Sequence, residues 1–528
     1  MRTQGTATQL IVDGQPFLAL AGELNNDSAT SLDYVRRLWP RLVEAKINTV
    51  LAGVSWNQIE RQEGKFDFSV LDGVIQGARS HNLRLVLLWF ASWKNSLSSY
   101  PPDWVKKDFD RFPRARTKTG KTLELLTPLS DANRDADARA FAALMGHVKA
   151  VDGHEHTVIM IQVENEVGMH SDSRDHSAAA DKAYAGPVPK ELMDYLQQHK
   201  NTLIPEFRKA WEAAGFKTSG TWEEVFGPGA ATEGIFMAWH YARYLDRVAA
   251  AGKAEYPLPM FVNAALYGVG RTEFPPSGGR PWDLMMDVWK AGAPQIDVLA
   301  PDAYGNFTAF CAKYSRPGNP LFIPESLNGA VGAARVLYAF GRHDAIGFSA
   351  MGAVERSSTP DTDLIASYDL IEQLAPLISE HQGNGTMSAV LLGPDDPPQK
   401  VQVGNYTLEV KFVKPRVAPL TQPTPIPPNT FAAGIFIATG PDEYFVAGMG
   451  IDITFAPSTP GLPLAGLATV EEGSFVDGRW VPGRLLAGDS TEEGENIRIS
   501  WPPGSWVPEY RQRASPDAIQ RVTLYRYR

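Results

Sequence analysis

The chain has 528 residues, of which 44% are hydrophobic and 21% charged, proportions that are ordinary for a soluble globular protein. Because one hydrophobic core stops growing at roughly 250–300 residues, we expect at least two domains. The formal net charge of −10, from 50 basic and 60 acidic residues, argues against a nucleic-acid partner or an anionic membrane surface, since either requires a basic patch.

Cysteine content and hydropathy set further limits. The one cysteine, Cys311, excludes an intramolecular disulfide. No segment reaches the ~18–20 apolar residues that a membrane-spanning helix needs, so no span is expected. Residues Met1–Asp13 show no signal-peptide pattern. The expected location is therefore cytoplasmic, or periplasmic or secreted if a signal peptide was removed.

The first 375 or so residues alternate short apolar runs with amphipathic stretches such as Leu32–Lys46 and Ala136–Val151. Short, continuously apolar runs are typical of parallel strands that are buried on both faces. Eight such strands separated by helices predict an α/β fold, a (β/α)8 TIM barrel. The eight predicted strands are Phe17–Gly22, Thr49–Val54, Arg84–Trp89, Val158–Val163, Pro259–Ala264, Val298–Ala300, Leu321–Pro324 and Ala345–Ser349.

The main insertion follows the fourth strand and contains three helical patterns, over Lys190–Lys200, Leu203–Ala214 and Glu233–Ala251. Past about Gln382 the pattern changes to short alternating or β-branched segments separated by Gly and Pro, which predicts an all-β region. The expected organisation is a catalytic barrel over 1–380 and an all-β accessory domain over 381–528.

Two glutamates follow predicted barrel strands. Strand four runs Val158–Val163 and leads into Glu164, Asn165 and Glu166, while strand seven is followed by Glu325. Residues past the carboxyl ends of the strands form the active site of a TIM barrel. Glycoside hydrolysis needs two carboxyl groups, one protonated to release the leaving group and one ionised.

We predict Glu166 as the acid/base and Glu325 as the nucleophile. An ionised Glu325 nearby raises the pKa of Glu166 and keeps it protonated; once Glu325 is esterified by the sugar, Glu166 can act as a base. Glu164 lies deeper below the rim and is the weaker candidate. The competing interpretation is that these are ordinary polar residues at strand ends.

The segment Gln162-Val-Glu-Asn-Glu-Val-Gly168 resembles the acid/base motif of glycoside hydrolase family 35, the β-galactosidases. Two further segments resemble motifs of the same family. One is Trp56-Asn-Gln-Ile-Glu60 with the following Gly64-Lys-Phe-Asp-Phe68, and the other is Ala21-Gly-Glu23. Phe322-Ile-Pro-Glu325 resembles the nucleophile strand of the wider clan. The resemblance covers the barrel and implies a retaining mechanism that releases a terminal β-galactosyl unit.

The resemblance also implies roles for individual residues. Asn165 would hydrogen-bond the sugar 2-hydroxyl, Tyr304 would orient the nucleophile, and Trp56 and Asn57 would shape the galactose pocket. Asn263 ends strand five at the same face and is a further candidate for sugar contact.

Two family features are absent from the sequence. Gly53 stands where the family has a tyrosine, and Ala91-Ser92-Trp93 stands where it has Ala-Glu-Trp. Glu23, Lys94 or Asn95 would then replace the missing sugar contacts. Trp93 itself is either a stacking platform for the sugar or a core residue. The segment around it resembles a bacterial subgroup of the family with an extra C-terminal β domain, some members of which act on galactose branches of plant xyloglucan.

The function predicted from the sequence is a retaining exo-β-galactosidase for oligosaccharides or plant polysaccharide fragments, with no metal and no cofactor. Two alternatives stay open: an exo-β-glycosidase for another sugar, and a carbohydrate-binding protein that has lost catalysis. The predicted partner is an oligosaccharide. The large β-rich region favours a homodimer, since such regions often mediate oligomers.

Overall fold

A computed structural model of the protein describes residues 1–170, 172–266, 278–352, 354–414, 425–501 and 519–528. Eight strands close into a parallel barrel in which neighbours follow one another along the chain. The predicted (β/α)8 fold class is confirmed. The barrel strands are β1 (Ala19–Glu23), β2 (Thr49–Ser55), β3 (Arg84–Lys94), β4 (Val158–Asn165), β5 (Met260–Ala265), β6 (Val298–Asp302), β7 (Phe322–Ser326) and β8 (Gly347–Met351).

The barrel strands are buried almost throughout, which explains their continuously apolar sequences. Each predicted strand overlaps an observed one. The observed strands β3 and β4 extend to Lys94 and Asn165, beyond the predicted ends at Trp89 and Val163, because Lys94 and Asn165 pair with each other past an irregularity in the register.

Fifteen α-helices are described. They are α1 (Leu32–Val35), α2 (Trp39–Glu44), α3 (Trp56–Ile59), α4 (Ser69–Ser80), α5 (Asp103–Lys107), α6 (Asp131–Asp152), α7 (Ala178–Tyr184), α8 (Lys190–Gln198), α9 (Pro205–Ala213), α10 (Trp222–Phe226), α11 (Ala230–Glu255), α12 (Met286–Gly292), α13 (Phe307–Tyr314), α14 (Gly329–His343) and α15 (Thr362–His381).

The predicted single helix over Leu32–Lys46 is wrong in one respect. It divides into α1 and α2, because Pro40 has no N–H to donate to the carbonyl of Arg36 and therefore interrupts the helical ladder. The three helices predicted in the insertion after strand four are present as α8, α9 and α11.

The chain divides into two compact units. The first comprises Met1–Gly22, Arg41–Ile47 and Phe307–Arg528, and the second comprises Glu23–Pro40 and Asn48–Asn306. In the second unit, the two longest helices, α6 and α11, pack against each other. Gly252 permits their close approach, since a Cβ at this position would overlap the ring of Phe141.

The C-terminal part of the first unit is all-β, as predicted. Its strands are β9 (Met387–Leu392), β10 (Gln399–Val403), β11 (Tyr406–Phe412), β12 (Ala432–Gly440), β13 (Glu443–Met449), β14 (Ile451–Pro457), β15 (Leu464–Val476), β16 (Arg479–Leu486), β17 (Ile497–Ile499) and β18 (Ile519–Tyr527). They are antiparallel and form a six-stranded sheet in the order β9-β12-β13-β18-β15-β16 and a four-stranded sheet in the order β10-β11-β14-β17.

Shorter strands complete the described structure: Arg2–Gln4, Ala7–Gln9, Ile11–Val12, Gln15–Pro16, Arg114–Arg116 and Thr122–Leu126. Among the helices of the described ranges, none has the length and apolar character needed to cross a bilayer. The domain boundary near residue 380 stays a prediction.

The start of strand four depends on one buried carboxylate. Asp152 ends α6 with a fully buried side chain; its Oδ2 accepts the backbone N–H of Val158 at 2.7 Å, and its Oδ1 accepts Arg79 Nη2 at 2.6 Å. Removing it would leave the buried N–H of Val158 without its acceptor and would take the charged partner from Arg79, which keeps only the Val151 carbonyl and the Thr157 hydroxyl.

We expect Asp152→Ala to lower the free energy of unfolding by about 2–4 kcal/mol, measured by urea denaturation followed by tryptophan fluorescence. Asp103→Ala is the matched control, because its ion pair with Lys107 is exposed and contributes at most about 1 kcal/mol. Equal losses in the two variants would contradict the assigned role of Asp152.

Candidate active site

The end of strand four has an unusual backbone. Glu164 and Glu166 have positive φ values of 61° and 44°, a region that is costly for residues with a Cβ. Between them, Asn165 is fully buried, and Glu166 is half-buried. The alternation aims successive side chains in different directions, so that only Glu166 of the two glutamates reaches solvent.

Glu164 is used by the fold. Its Oε1 accepts the backbone N–H of Ser92 at 3.0 Å, and its Oε2 accepts that of Trp93 at 2.7 Å. Strand β3 carries extra residues at this point, since Val163 is opposite Trp89 whereas Asn165 is opposite Lys94. The Glu164 carboxyl group therefore satisfies backbone donors that the irregular strand leaves without a ladder partner.

A second buried acid lies against Glu164. Asp137 accepts hydrogen bonds from Trp89 Nε1 at 2.9 Å and from Ser92 Oγ at 2.5 Å, while the backbone N–H of the same serine donates to Glu164. Two fully buried carboxyl groups joined through one residue in this way strongly disfavour being ionised together, so the pair retains a proton. Burial raises the pKa of Asp137, and burial together with the charge of Asp137 raises the pKa of Glu164 well above its usual value.

Asn165 is held by a lysine. Lys94 Nζ donates to Asn165 Oδ1 at 2.9 Å and to Asn95 Oδ1 at 2.8 Å, and it lies 5.0 Å from the centroid of the Phe90 ring. Asn165 Nδ2 is buried and has no hydrogen-bond partner. A buried amide donor without a partner is expected where a ligand or water supplies the acceptor.

The backbone of Glu166 is fixed on both sides. Its N–H donates to Asn263 Oδ1 at 2.9 Å, and its carbonyl accepts Ser96 Oγ at 3.1 Å. Asn263 Nδ2 in turn donates to Asp302 Oδ2 at 2.9 Å, at the end of β6. Asn263, expected from the sequence as a sugar contact, is nearly fully buried and connects strands four, five and six.

Arg280 lies against the segment that follows strand four and was not among the residues predicted from the sequence. Its Nη1 donates to the Met169 carbonyl at 2.9 Å, and its Nη2 donates to Ser96 Oγ at 3.2 Å and lies 2.6 Å from His170 Nδ1. Burial lowers the pKa of Arg280, an effect partly opposed by the nearby charge of Glu166. No pattern in the sequence marks this arginine, since it follows no strand and belongs to no motif.

Two tryptophans predicted as sugar contacts have no exposed surface. Trp56 donates its Nε1–H to Glu60 Oε2 at 2.7 Å, and Trp93 donates its Nε1–H to the Leu126 carbonyl at 3.0 Å. Neither ring can stack on a sugar in this arrangement, which corrects the expectation of direct contact. Trp93 packs edge-on against Tyr241 and Tyr244 as a core residue.

The motif that begins at Trp56 has a structural explanation. Glu60 is fully buried, and its second oxygen, Oε1, accepts the backbone N–H of Gly64 at 2.7 Å. The spacing from Trp56 through Glu60 to Gly64 thus builds a hydrogen-bonded turn after strand two. Asn57, next to Trp56, is exposed.

The remaining predicted residues lie on four strands or just after them. Glu23, at the end of β1, is nearly fully buried, and Tyr304, two residues after β6, keeps 36% of its surface exposed. Asn95 is exposed and has a positive φ of 51°. In the first unit, Glu325 lies in β7 with 8% of its surface exposed, within an irregularity between Ile323 and Ser326 in the pairing with β8.

Gly53 has no room for the side chain that the family resemblance implies. A Cβ there would lie 2.8 Å from the carbonyl oxygen of Asn26 and 2.8 Å from a ring carbon of Phe90. The packing around strands two and three therefore leaves no space for a tyrosine at position 53.

Comparison with known proteins adds independent information. A family model described as beta-galactosidase, of glycoside hydrolase family 42, matches residues 32–246, and one described as a domain of unknown function (DUF5597) matches residues 364–498. A beta-galactosidase of Xanthomonas manihotis is 30% identical over 190 residues, 34% of this chain, and one of Arthrobacter sp. is 26% identical over 212 residues, 38% of this chain. The chain spans 28% of the length of each of these two relatives.

Among solved structures, the beta-galactosidase of Bacillus circulans sp. alkalophilus aligns with a TM-score of 0.47 and 16% identity, over 68% of this chain and 57% of that chain. Taken together, the sequence matches support a glycoside hydrolase of the β-galactosidase type. They do not support family 35 specifically, although the sequence analysis expected it.

The Asp137–Glu164 pair predicts a pH dependence of stability. Because the folded state holds a proton that the unfolded chain releases above about pH 4, the free energy of unfolding falls as pH rises towards the raised pKa of the pair. One retained proton corresponds to about 1.4 kcal/mol per pH unit.

We expect Asp137→Asn to make this slope shallower, since the amide introduced by the substitution can donate to Glu164 without a shared proton. Urea unfolding of the wild type and the variant over a series of pH values measures how the free energy of unfolding of each depends on pH. Other titrating groups are common to the two proteins, so parallel curves would contradict a proton shared by this pair.

Proposed function

We propose that this protein is a retaining exo-β-galactosidase in which Glu166 is the acid/base and Glu325 the nucleophile. The observation that carries the proposal is their position at the carboxyl ends of strands four and seven of one closed barrel. In such a barrel the carboxyl ends of all strands lie at the same face, where active sites form. Similarity to β-galactosidases over residues 32–246 is an independent support.

The reaction would proceed in two steps. The Glu325 carboxylate attacks the anomeric carbon while Glu166 gives its proton to the departing glycosidic oxygen, which leaves a glycosyl ester on Glu325. Glu166, now ionised, takes a proton from a water molecule that attacks the same carbon and releases the sugar with its original configuration. No cofactor is required for either step.

Three features of the site support this assignment of roles. The backbone of Glu166 is held by Asn263 and Ser96, which limits the positions that its carboxyl group can take. The buried, unpartnered Nδ2 of Asn165 is a donor available to a sugar hydroxyl. By contrast, Glu164 is fully buried and has both oxygens engaged by backbone amides, so its carboxyl group cannot reach a glycosidic oxygen.

Two candidates for the sugar follow from the sequence. Gly53 and Ser92 replace residues that contact galactose in family 35, so an exo-β-glycosidase for another sugar is the alternative. Substrates are proposed to be oligosaccharides or plant polysaccharide fragments, including xyloglucan. Initial rates on a panel of nitrophenyl β-glycosides separate the two candidates, and galactoside must be the fastest for the main proposal to stand.

We expect incubation with 2,4-dinitrophenyl 2-deoxy-2-fluoro-β-galactoside to add one fluorogalactosyl group per chain. The fluorine slows both steps, and the good leaving group restores the rate of the first step only, so the ester accumulates. Intact-mass and peptide mass analysis locate it. A label on Glu325 supports the nucleophile, and a label on another residue, or none on an active enzyme, contradicts it.

Replacing the acid/base gives a separate signature. We expect Glu166→Ala to reduce kcat/KM for a substrate with a poor leaving group by about 10²–10⁴-fold and to affect a dinitrophenyl glycoside much less, because that leaving group needs no proton. Added azide should restore turnover and yield the β-glycosyl azide.

The control is Glu155→Ala, an exposed residue before strand four, which should behave as wild type. An equal loss on both substrates in Glu166→Ala, or an α-configured azide product, would contradict the assignment.

A further inference from the structure

Lys94 is a buried cation that the proposed chemistry does not require. The residue is 8% exposed, and its ammonium group lies at the end of strand three beside Asn165. Burying an ammonium group is costly unless hydrogen bonds and nearby π electrons compensate. Here Asn165, Asn95 and the Phe90 ring provide that compensation. The cost of burying the Lys94 ammonium group therefore calls for a functional explanation.

We infer that Lys94 is a positioning residue that fixes the Asn165 amide so that its Nδ2 donates to the 2-hydroxyl of the bound sugar; this inference rests on the proposed function. The contact between Lys94 Nζ and Asn165 Oδ1 and the unpartnered Nδ2 at the opposite end of the same amide are the two observations that support it.

The orientation of the amide follows from the chemistry of its neighbour. An ammonium group has three donors and no acceptor, so only the oxygen of Asn165 can face it. The nitrogen must then point away from Lys94. Asparagine alone does not distinguish its two ends by shape, and without Lys94 the amide is free to rotate and present its oxygen instead.

Fixing the donor end determines which substrates are favoured. Nδ2 can donate but cannot accept, so the site requires an acceptor at carbon 2 of the sugar. When that acceptor is missing, the buried N–H keeps no partner in the transition state. Sites built around a substrate hydroxyl reject analogues that lack it by up to about 10⁴–10⁵-fold. Lys94 is thereby a determinant of selectivity for the 2-hydroxyl, although it need not touch the sugar.

The test compares two substrates in two proteins. Initial rates give kcat/KM for the nitrophenyl β-glycoside that the wild type hydrolyses fastest and for its 2-deoxy analogue. We expect Lys94→Met to lower the ratio of the two values at least tenfold, because the parent substrate loses its contact while the 2-deoxy substrate has none to lose. Lys94→Arg, which keeps the donors, should retain most of the ratio.

Lys107→Met is the matched control: its ammonium group pairs with Asp103 at the surface, and the ratio should not change. Thermal melts establish that the variants are folded. Should Lys94→Met not fold, Lys94→Gln replaces it, because a neutral amide can accept as well as donate and no longer dictates which end of Asn165 faces it. The ratio is expected to fall in that variant too.

The outcomes are distinguishable. A ratio that stays at the wild-type value in Lys94→Met or Lys94→Gln, with both substrates slowed equally, overturns the inference and leaves the proposed function intact. A wild type that hydrolyses no β-glycoside overturns both. A falling ratio, together with its retention in Lys94→Arg, supports the positioning role over a merely structural one.

Discussion

The candidate site depends on the hydrogen bonds by which a glutamate of strand four holds the backbone of the neighbouring strand three. Glu164 accepts the backbone amides of Ser92 and Trp93, which lie in the part of strand three that carries extra residues. This contact fixes where strand three ends relative to strand four. Lys94 then lies opposite Asn165, and the next residue of strand four is Glu166. One buried carboxyl group therefore sets the relative positions of the residues proposed to act on the sugar.

The fold was largely predictable from the sequence because its signals are local. Continuous apolar runs such as Val158–Val163 can only be buried strands or buried helices, and their shortness decides for strands. The division of Leu32–Lys46 into two helices and the hairpin of β15 and β16 were not predicted. The division of the helix depends on one residue, Pro40. The hairpin was missed because its second strand, β16, is mostly exposed and shows little apolar patterning.

The candidate site was predictable only in part. Residues directly after strands, such as Glu166, can be identified because the barrel places every strand end at one face. Arg280 and Asp137 could not, since their partners are far away in sequence and are brought close only by tertiary packing. For Trp56 a family motif suggested a sugar contact, and for Trp93 the sequence left sugar stacking and core packing open, but both side chains fill the interior.

The packing around Gly53 has an evolutionary consequence. A Cβ at this position would meet both the backbone carbonyl of Asn26 and the ring of Phe90 on the neighbouring strand, so a single substitution cannot introduce a side chain here without strain. A larger residue there would need a shift of the backbone at Asn26 as well as a change of Phe90. Divergence of substrate preference among descendants of this protein would therefore arise at residues with exposed side chains, such as Asn57, before it reached Gly53.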